Sequence, residues 1–153
     1  MTDEVARVPH RRLKVLIADD TAAIRNSLAA LFARVEGVEV VGMAKTGVEA
    51  MEQVRRLKPD VMTLDVRMPD MNGIQVLEAL KREKLEVTVL VLSGVGEDKY
   101  RERCLALGAA RFFDKATEFE SVLKVLTEKA AGLKSAQMSP PSQSGSQLTS
   151  PPG

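Results

Sequence analysis

Short apolar segments that alternate with stretches of helical spacing constrain the fold of this chain more than any other feature. Residues 13–18 form the first apolar segment, and apolar side chains then recur three and four positions apart from Ile24 to Val35. This combination predicts a buried strand followed by an amphipathic helix that Gly37 closes. Strand–helix units in strict alternation predict a parallel sheet with helices on both faces, because right-handed crossovers place the helices there.

Four further units repeat this alternation along the chain. The other predicted strands cover residues 38–44, 61–65, 87–92 and 111–113, and the other predicted helices cover residues 48–57, 74–80, 98–107 and 119–126. The predicted fold class is therefore α/β, a doubly wound parallel sheet of five strands. The predicted domain covers residues 13–131, after a flexible arm of residues 1–12. Residues 132–153 are rich in Ser, Pro and Gln, which predicts a disordered tail.

Composition and charge disfavour several classes of protein. The chain of 153 residues has 22 Lys and Arg against 21 Asp and Glu, so its net charge of +1 gives no general attraction to nucleic acid or membranes. It has no run of about 18 apolar residues and no leader-like core after Met1. The single Cys104 allows no internal disulfide and is expected to be a buried thiol, so a cytoplasmic location is predicted. The tail cannot form a helix-turn-helix, so direct DNA binding is not expected.

Polar and charged residues stand at the carboxyl ends of four of the five predicted strands. Asp19 and Asp20 follow the first strand, while Asp65, Ser93 and Lys115 end or follow the third, fourth and fifth. The carboxyl ends of parallel strands meet at one edge of the sheet, where open α/β folds bind their ligands. An Asp-Asp pair alone is more often a turn or a helix cap than a metal site, but the joint placement favours a functional site.

The three carboxylates predict a site for a hard cation. Asp19, Asp20 and Asp65 repel one another at close range unless a cation neutralises them, and Mg²⁺ prefers oxygen ligands. Lys115 adds a positive charge that can pair with Asp65 or with a phosphoryl oxygen, and Ser93 offers a hydroxyl donor. An aspartate carboxylate can attack a phosphoryl donor when charge is offset in this way. Asp65 is the predicted nucleophile, since it stands singly before an open loop.

The same residues resemble the response-regulator receiver family, the CheY-like domains of two-component signalling, over residues 13–131. The matching positions are the acidic pair Asp19-Asp20, the phosphoacceptor Asp65, the loop Met68-Pro-Asp-Met-Asn-Gly73, the hydroxyl position Ser93, the aromatic switch position Phe112, and Lys115. The resemblance implies the flavodoxin-like strand order 2-1-3-4-5 and a stand-alone member of the family.

The resemblance also implies a function. A histidine kinase or a histidine phosphotransfer protein would pass a phosphoryl group to Asp65, and slow self-catalysed hydrolysis would remove it, with no separate enzymatic activity. The Mg²⁺ ligands would be Asp19, Asp20, Asp65 and the backbone carbonyl of Arg67. Ser93 and Phe112 would switch the surface of the fourth helix, fifth strand and fifth helix, where a downstream protein binds. The protein would be a monomer or a phosphorylation-dependent dimer.

Three departures from the family pattern concern the switch residue, the peptide bond after Lys115 and the lifetime of the phosphoryl group. Phe112 stands where tyrosine is commoner, so a plain core role competes with a switch role. Ala116 follows Lys115 where the family usually has proline, often after a cis bond, and the isomer is left open because a non-proline cis bond costs about 2.5–4 kcal/mol. Arg67 and Val95 flank the position of an attacking water and offer neither carboxylate nor amide, which predicts a longer-lived phosphoryl group.

Other functions fit parts of the pattern. A phosphorelay intermediate would use the same acceptor, whereas a receiver-fold interaction module without phosphorylation would not need the intact acidic residues and Lys115. A haloacid-dehalogenase-like phosphohydrolase is disfavoured, because its first strand ends in Asp-x-Asp whereas this one ends in Asp-Asp, and no segment suits a cap domain. The pattern identifies neither the kinase nor the downstream process.

Overall fold

The computed structural model describes residues 11–138, with side chains described through Leu133. Strands and helices alternate along this part of the chain. The strands are β1 (Leu13–Ala18), β2 (Val38–Ala44), β3 (Val61–Asp65), β4 (Thr88–Ser93) and β5 (Arg111–Asp114). The helices are α1 (Ala22–Phe32), α2 (Gly47–Leu57), α3 (Gly73–Glu83), α4 (Arg101–Ala106) and α5 (Phe119–Met138), and a 3₁₀ turn, Asp98–Tyr100, precedes α4.

The strands form one parallel sheet in the order β2-β1-β3-β4-β5. Val15 of β1 lies opposite Val61 of β3, and Asp65 at the end of β3 lies opposite Leu92 of β4. Every residue of β3 is buried, as expected for a central strand that helices cover on both faces. The predicted doubly wound fold and its strand order are confirmed.

Two apolar cores cover the two faces of the sheet. Alternate residues of β1 divide between them, so that Leu16 belongs to one core and Ile17 to the other. The first core contains residues of α2, α3 and α4, and the second contains residues of α1 and α5. Cys104 of α4 lies in the first core, and burial raises the pKa of its thiol, as expected for a structural cysteine.

The first helix is shorter than its apolar pattern predicts. Helix α1 ends at Phe32, because the N–H groups of Arg34 and Val35 bond to carbonyls three residues earlier in a tighter turn. Gly37 then turns the chain toward β2 with a φ of +85°, in the left-handed region that favours glycine. Gly37 therefore ends the loop between α1 and β2 and does not end the helix itself.

The last helix extends past the predicted end of the domain. Helix α5 continues to Met138, past the expected boundary at residue 131, since residues 132–138 contain no proline and Pro140 is the first in the tail. Residues 1–10 and 139–153, which hold most of the predicted arm and tail, lie outside the described residues. Within residues 11–138, no helix combines the length and apolar character that crossing a membrane requires.

Candidate functional site

The sheet brings the predicted site residues to one edge. Asp19 follows β1, and its N–H donates to the carbonyl of Ala44 at 3.0 Å, which keeps it in line with β2. Asp65 and Ser93 are the last residues of β3 and β4. The N–H of Lys115 donates to the carbonyl of Ser93 at 2.9 Å, so Lys115 follows β5 in register with β4. Backbone pairing thus fixes where each of these side chains starts.

The carboxylates converge as the sequence predicts. Asp19, Asp20 and Asp65 each place an oxygen within 4.8 Å of the others. Asp19 and Asp65 are only 1% and 4% exposed, whereas Asp20 is exposed. Lys115 Nζ lies 2.9 Å from Asp19 Oδ2 and 3.3 Å from Asp65 Oδ1. The lysine therefore bridges the two buried acids, and its shorter contact is with Asp19.

One lysine does not balance the negative charge of this cluster. Burial, and after it the charge of Asp19, raise the pKa of Asp65 to about 7, although Lys115 and the N–H of Arg67 oppose the rise. Burial lowers the pKa of Lys115, but its hydrogen bond to Asp19 and the two carboxylate charges outweigh this and hold the pKa above its ordinary value. The cluster thus has a charged lysine and a surplus of carboxylate charge.

This donor set fits a hard divalent cation. The three carboxylates offer only oxygen ligands, and their mutual repulsion supplies the negative field that such an ion requires. Asp20 is the exposed member of the group, so an ion can reach the site from solvent on the side of Asp20. Receiver domains bind Mg²⁺ at an acidic pocket of this kind.

The two predicted switch residues are both buried. The Ser93 hydroxyl donates to the carbonyl of Phe113 at 3.1 Å, so in this structure it bonds to the neighbouring strand. Phe112 is 5% exposed and packs in the core beneath α4. The guanidinium carbon of Arg101 lies 4.8 Å from the centre of its ring, and Arg101 Nη1 donates to its carbonyl at 3.2 Å. Arg101 therefore covers Phe112 in the buried rotamer.

The remaining predicted positions lie around the mouth of the site. The N–H of Arg67 donates to Asp65 Oδ1 at 3.3 Å, and the Arg67 side chain is 72% exposed. Val95 is 93% exposed, so its side chain lies almost entirely in solvent. The Lys115–Ala116 bond is trans, since the described residues contain no cis peptide bond.

Sequence reasoning missed one buried acid beside the site. Glu97 is 3% exposed, and its carboxylate binds the side chain of Arg67 at 2.7 Å. A glutamate in a glycine-rich loop is ordinarily a solvated residue, so neither spacing nor composition gave a signal for its burial.

The start of helix α3 lies close to the backbone of Asp65. Asn72 and Gln75 form a capping box with two hydrogen bonds of 2.9 Å, which fixes where α3 begins. The N–H of Gly73 then donates to the carbonyl of Val66 at 2.8 Å. A Cβ at position 73 would lie 2.5 Å from the carbonyl oxygen of Asp65. The fold therefore needs glycine here to hold the acid in place.

We predict that Gly73→Ala lowers the free energy of unfolding by about 2–3 kcal/mol, because backbone atoms at this contact cannot move aside as a side chain can. Chemical denaturation measures the loss. The matched control is Gly132→Ala in α5, where a new Cβ meets no atom within 4 Å and the change is expected to be neutral or stabilising. Equal losses in the two variants would contradict the prediction.

Comparisons with known proteins agree with this geometry. The family model for the response regulator receiver domain matches residues 15–127. The response regulator GacA of Pseudomonas aeruginosa is 32% identical over 120 residues, which make up 78% of this chain and 56% of GacA. The solved response regulator domain of Thermotoga maritima CheB has a TM-score of 0.69 and 32% identity, covering 85% of this chain and all of that domain.

Some relatives are considerably longer than this chain. A protein-glutamate methylesterase/protein-glutamine glutaminase of Clostridium acetobutylicum is 36% identical over 106 residues, which are 68% of this chain but 31% of that enzyme. The chain thus spans about half the length of GacA and less than a third of the methylesterase. The similarity therefore concerns the receiver domain and not the activities of the longer proteins.

Proposed function

Because this chain belongs to the response regulator receiver family of two-component systems, we propose that it accepts a phosphoryl group on Asp65. The observation that carries the proposal is the buried Asp65 carboxylate, which lies within 4.8 Å of two other acids and 3.3 Å from Lys115. A histidine kinase or a histidine phosphotransfer protein is the proposed donor, and Mg²⁺ is the proposed cofactor.

The proposed transfer is a displacement at phosphorus. An oxygen of Asp65 attacks and forms the new P–O bond, while the bond from phosphorus to the donor's imidazole nitrogen breaks. Lys115 offsets the negative charge on the phosphoryl oxygens, and Ser93 offers its hydroxyl as a donor. Bound Mg²⁺ supplies further neutralisation of the transferring group. The proposed ligands are Asp19, Asp20, Asp65 and the backbone carbonyl of Arg67.

The proposed output is a change in a protein-binding face. Phosphorylation would act through Ser93 and Phe112 on the surface of α4, β5 and α5, where a downstream protein would bind. The burial of Phe112 under Arg101 supports this role, since a movement of the ring would also move an arginine on that surface. We propose a cytoplasmic protein that is a monomer or a phosphorylation-dependent dimer.

Acetyl phosphate with Mg²⁺ tests the acceptor directly. Intact-protein mass spectrometry is expected to find one added phosphoryl group on the wild type and none on Asp65→Asn. Asp70→Asn is the control, because Asp70 is an exposed carboxylate of the neighbouring loop and its loss is expected to leave labelling intact. An unlabelled wild type would favour an unphosphorylated interaction module instead. A label that survives Asp65→Asn would contradict Asp65 as the acceptor.

We also predict that Val95→Glu shortens the lifetime of the phosphoryl group about tenfold, because a carboxylate there could orient the attacking water. Val95 is the cleaner of the two lifetime positions, since Arg67 is also engaged in an ion pair. The decay of labelled protein gives the rate, with Val95→Ala as the control that adds no acceptor. Equal decay rates of phosphorylated Val95→Glu and phosphorylated wild type would contradict the prediction that position 95 sets the lifetime of the phosphoryl group.

A further inference from the structure

Glu97 is a buried acid that the proposed phosphoryl chemistry does not use. Within residues 11–133, the buried polar or charged residues are Asp19, Thr63, Asp65, Ser93 and Glu97. Three of them belong to the site, and Thr63 lies within β3. Glu97 instead lies in the loop between β4 and α4, where a charged side chain could have remained in water. Its burial therefore requires a specific reason.

Both oxygens of the Glu97 carboxylate have partners. Oε2 lies 2.7 Å from Arg67 Nε, and Oε1 accepts a hydrogen bond from the N–H of Gly94 at 2.6 Å. Contacts of this length to a carboxylate are charge-assisted and stronger than neutral hydrogen bonds. Arg67 belongs to the loop after β3 and Gly94 to the loop after β4. The carboxylate therefore ties these two loops together.

A helix cap does not explain this arrangement. Glu97 precedes the 3₁₀ turn Asp98–Tyr100, but its side chain makes no capping hydrogen bond there. Its backbone carbonyl, not its carboxylate, accepts from the N–H of Tyr100 at 2.9 Å. Gly96 has a φ of +80°, which lets the loop reverse so that the side chain reaches back to Gly94. The Glu97 side chain therefore holds the loop together and does not cap the 3₁₀ turn.

The partners of Glu97 adjoin the two central residues of the site. Gly94 directly follows Ser93, and the N–H of Arg67 donates to Asp65 Oδ1 at 3.3 Å. A continuous path therefore runs from Asp65 through Arg67, Glu97 and Gly94 to Ser93. Removing a partner leaves a buried carboxylate incompletely paired, which is costly, so these contacts hold or fail together.

We propose that Glu97 is a positioning residue of the phosphorylation site, whose ion pair with Arg67 clamps the loop after β3 to the loop after β4. The inference rests on the proposed phosphorylation of Asp65. The closed clamp holds Ser93 in place and limits the access of water to the acyl phosphate. When it opens, a water oxygen attacks phosphorus, the bond to the Asp65 carboxylate breaks, inorganic phosphate leaves and a proton passes to solvent.

The lifetime of the phosphoryl group tests the clamp in Glu97→Gln and Arg67→Met. Glu97→Gln keeps an acceptor for the N–H of Gly94 but removes the charge, and Arg67→Met removes the guanidinium without adding a group that orients water. Each variant is expected to shorten the lifetime by about 3–10-fold. The double variant is expected to lose no more than either single one, because all three break the same contact.

Amide hydrogen exchange supplies a readout that a general loss of stability would not reproduce. Arg67→Met leaves the Glu97 carboxylate that accepts from the Gly94 N–H unchanged, yet it is expected to accelerate exchange of this N–H about tenfold in the unphosphorylated protein. Arg67→Lys keeps a cation for Glu97 and is expected to fall between Arg67→Met and the wild type. General destabilisation would instead accelerate exchange of core amides throughout the sheet.

Arg103→Met is the matched control, because it breaks a surface ion pair of the same 2.7 Å length between Arg103 of α4 and Glu78 of α3. Its phosphoryl lifetime is expected to equal that of the wild type. Equal lifetimes in Glu97→Gln and the wild type, or additive losses in the double variant, would overturn the clamp while Asp65 still becomes labelled. A wild type that acquires no label would overturn the proposed function itself.

Discussion

Without divalent cations at pH 8, Asp65→Asn is expected to be more stable than the wild type by about 2–4 kcal/mol. Burial and the charge of Asp19 raise the pKa of Asp65 to about 7 in the folded protein, against about 3.9 in an unfolded chain. Between these values the folded protein binds a proton that the unfolded chain has released. Wild-type stability therefore falls as pH rises, by about 1.4 kcal/mol per pH unit, and asparagine removes this loss.

Chemical denaturation of both proteins at pH 5 and pH 8 with a chelator measures the effect. The gain from Asp65→Asn is expected to be smaller at pH 5, where the folded carboxyl is protonated. Adding Mg²⁺ at pH 8 is expected to stabilise the wild type more than the variant, because an ion bound only to the folded state favours folding. Asp20→Asn is the control, since Asp20 is exposed and its gain should be smaller. A gain that does not change with pH would contradict the prediction.

Lys115→Met is expected to change stability in the opposite direction. It should lower the free energy of unfolding by about 3–5 kcal/mol at pH 8. Lys115 Nζ lies 2.9 Å from Asp19 and 3.3 Å from Asp65, and these two carboxylates are buried. Methionine has a similar length but no charge, so both acids would lose the cation that faces them. The loss is expected to be smaller at pH 5, because protonated Asp65 no longer needs a cation.

The same denaturation series tests Lys115→Met. Lys124→Met, at an exposed position of α5, is the control and is expected to change stability by no more than about 0.5 kcal/mol. Adding Asp65→Asn to Lys115→Met is expected to recover part of the loss, since the two residues are in contact. Labelling of Asp65 by acetyl phosphate is expected to slow about 10²-fold in Lys115→Met. A variant as stable as the wild type at pH 8 would show that the acids do not depend on Lys115.

Much of the site could be predicted because strand ends carry local signals. The buried runs that become β1, β3 and β4 end at polar residues, and parallel strands place such ends at one edge. Asp19, Asp65 and Lys115 are together for that reason, and their grouping agrees with the prediction. The length of α1 was not predictable in the same way, because apolar spacing continues through Val35 although the hydrogen bonds tighten into a turn.

Contacts between loops could not be predicted from the pattern. Glu97 and Arg67 have no periodic relation in the sequence, and both stand in loops whose composition indicates only exposure to solvent. They meet because β3 and β4 are neighbours and the reversal at Gly96 turns the Glu97 side chain inward. The cover of Arg101 over Phe112 arises similarly, from the packing of α4 on β5.

The sequence by itself determined the alternating fold, the parallel sheet and the set of acids at its carboxyl edge. It did so because apolar periodicity and strand termination are local properties that each segment carries independently. Only the tertiary structure decided that Lys115 bridges two buried acids and that Glu97 joins the loops after β3 and β4. Those contacts depend on side chains from separate segments meeting within a few ångströms, a property that no single segment of the chain contains.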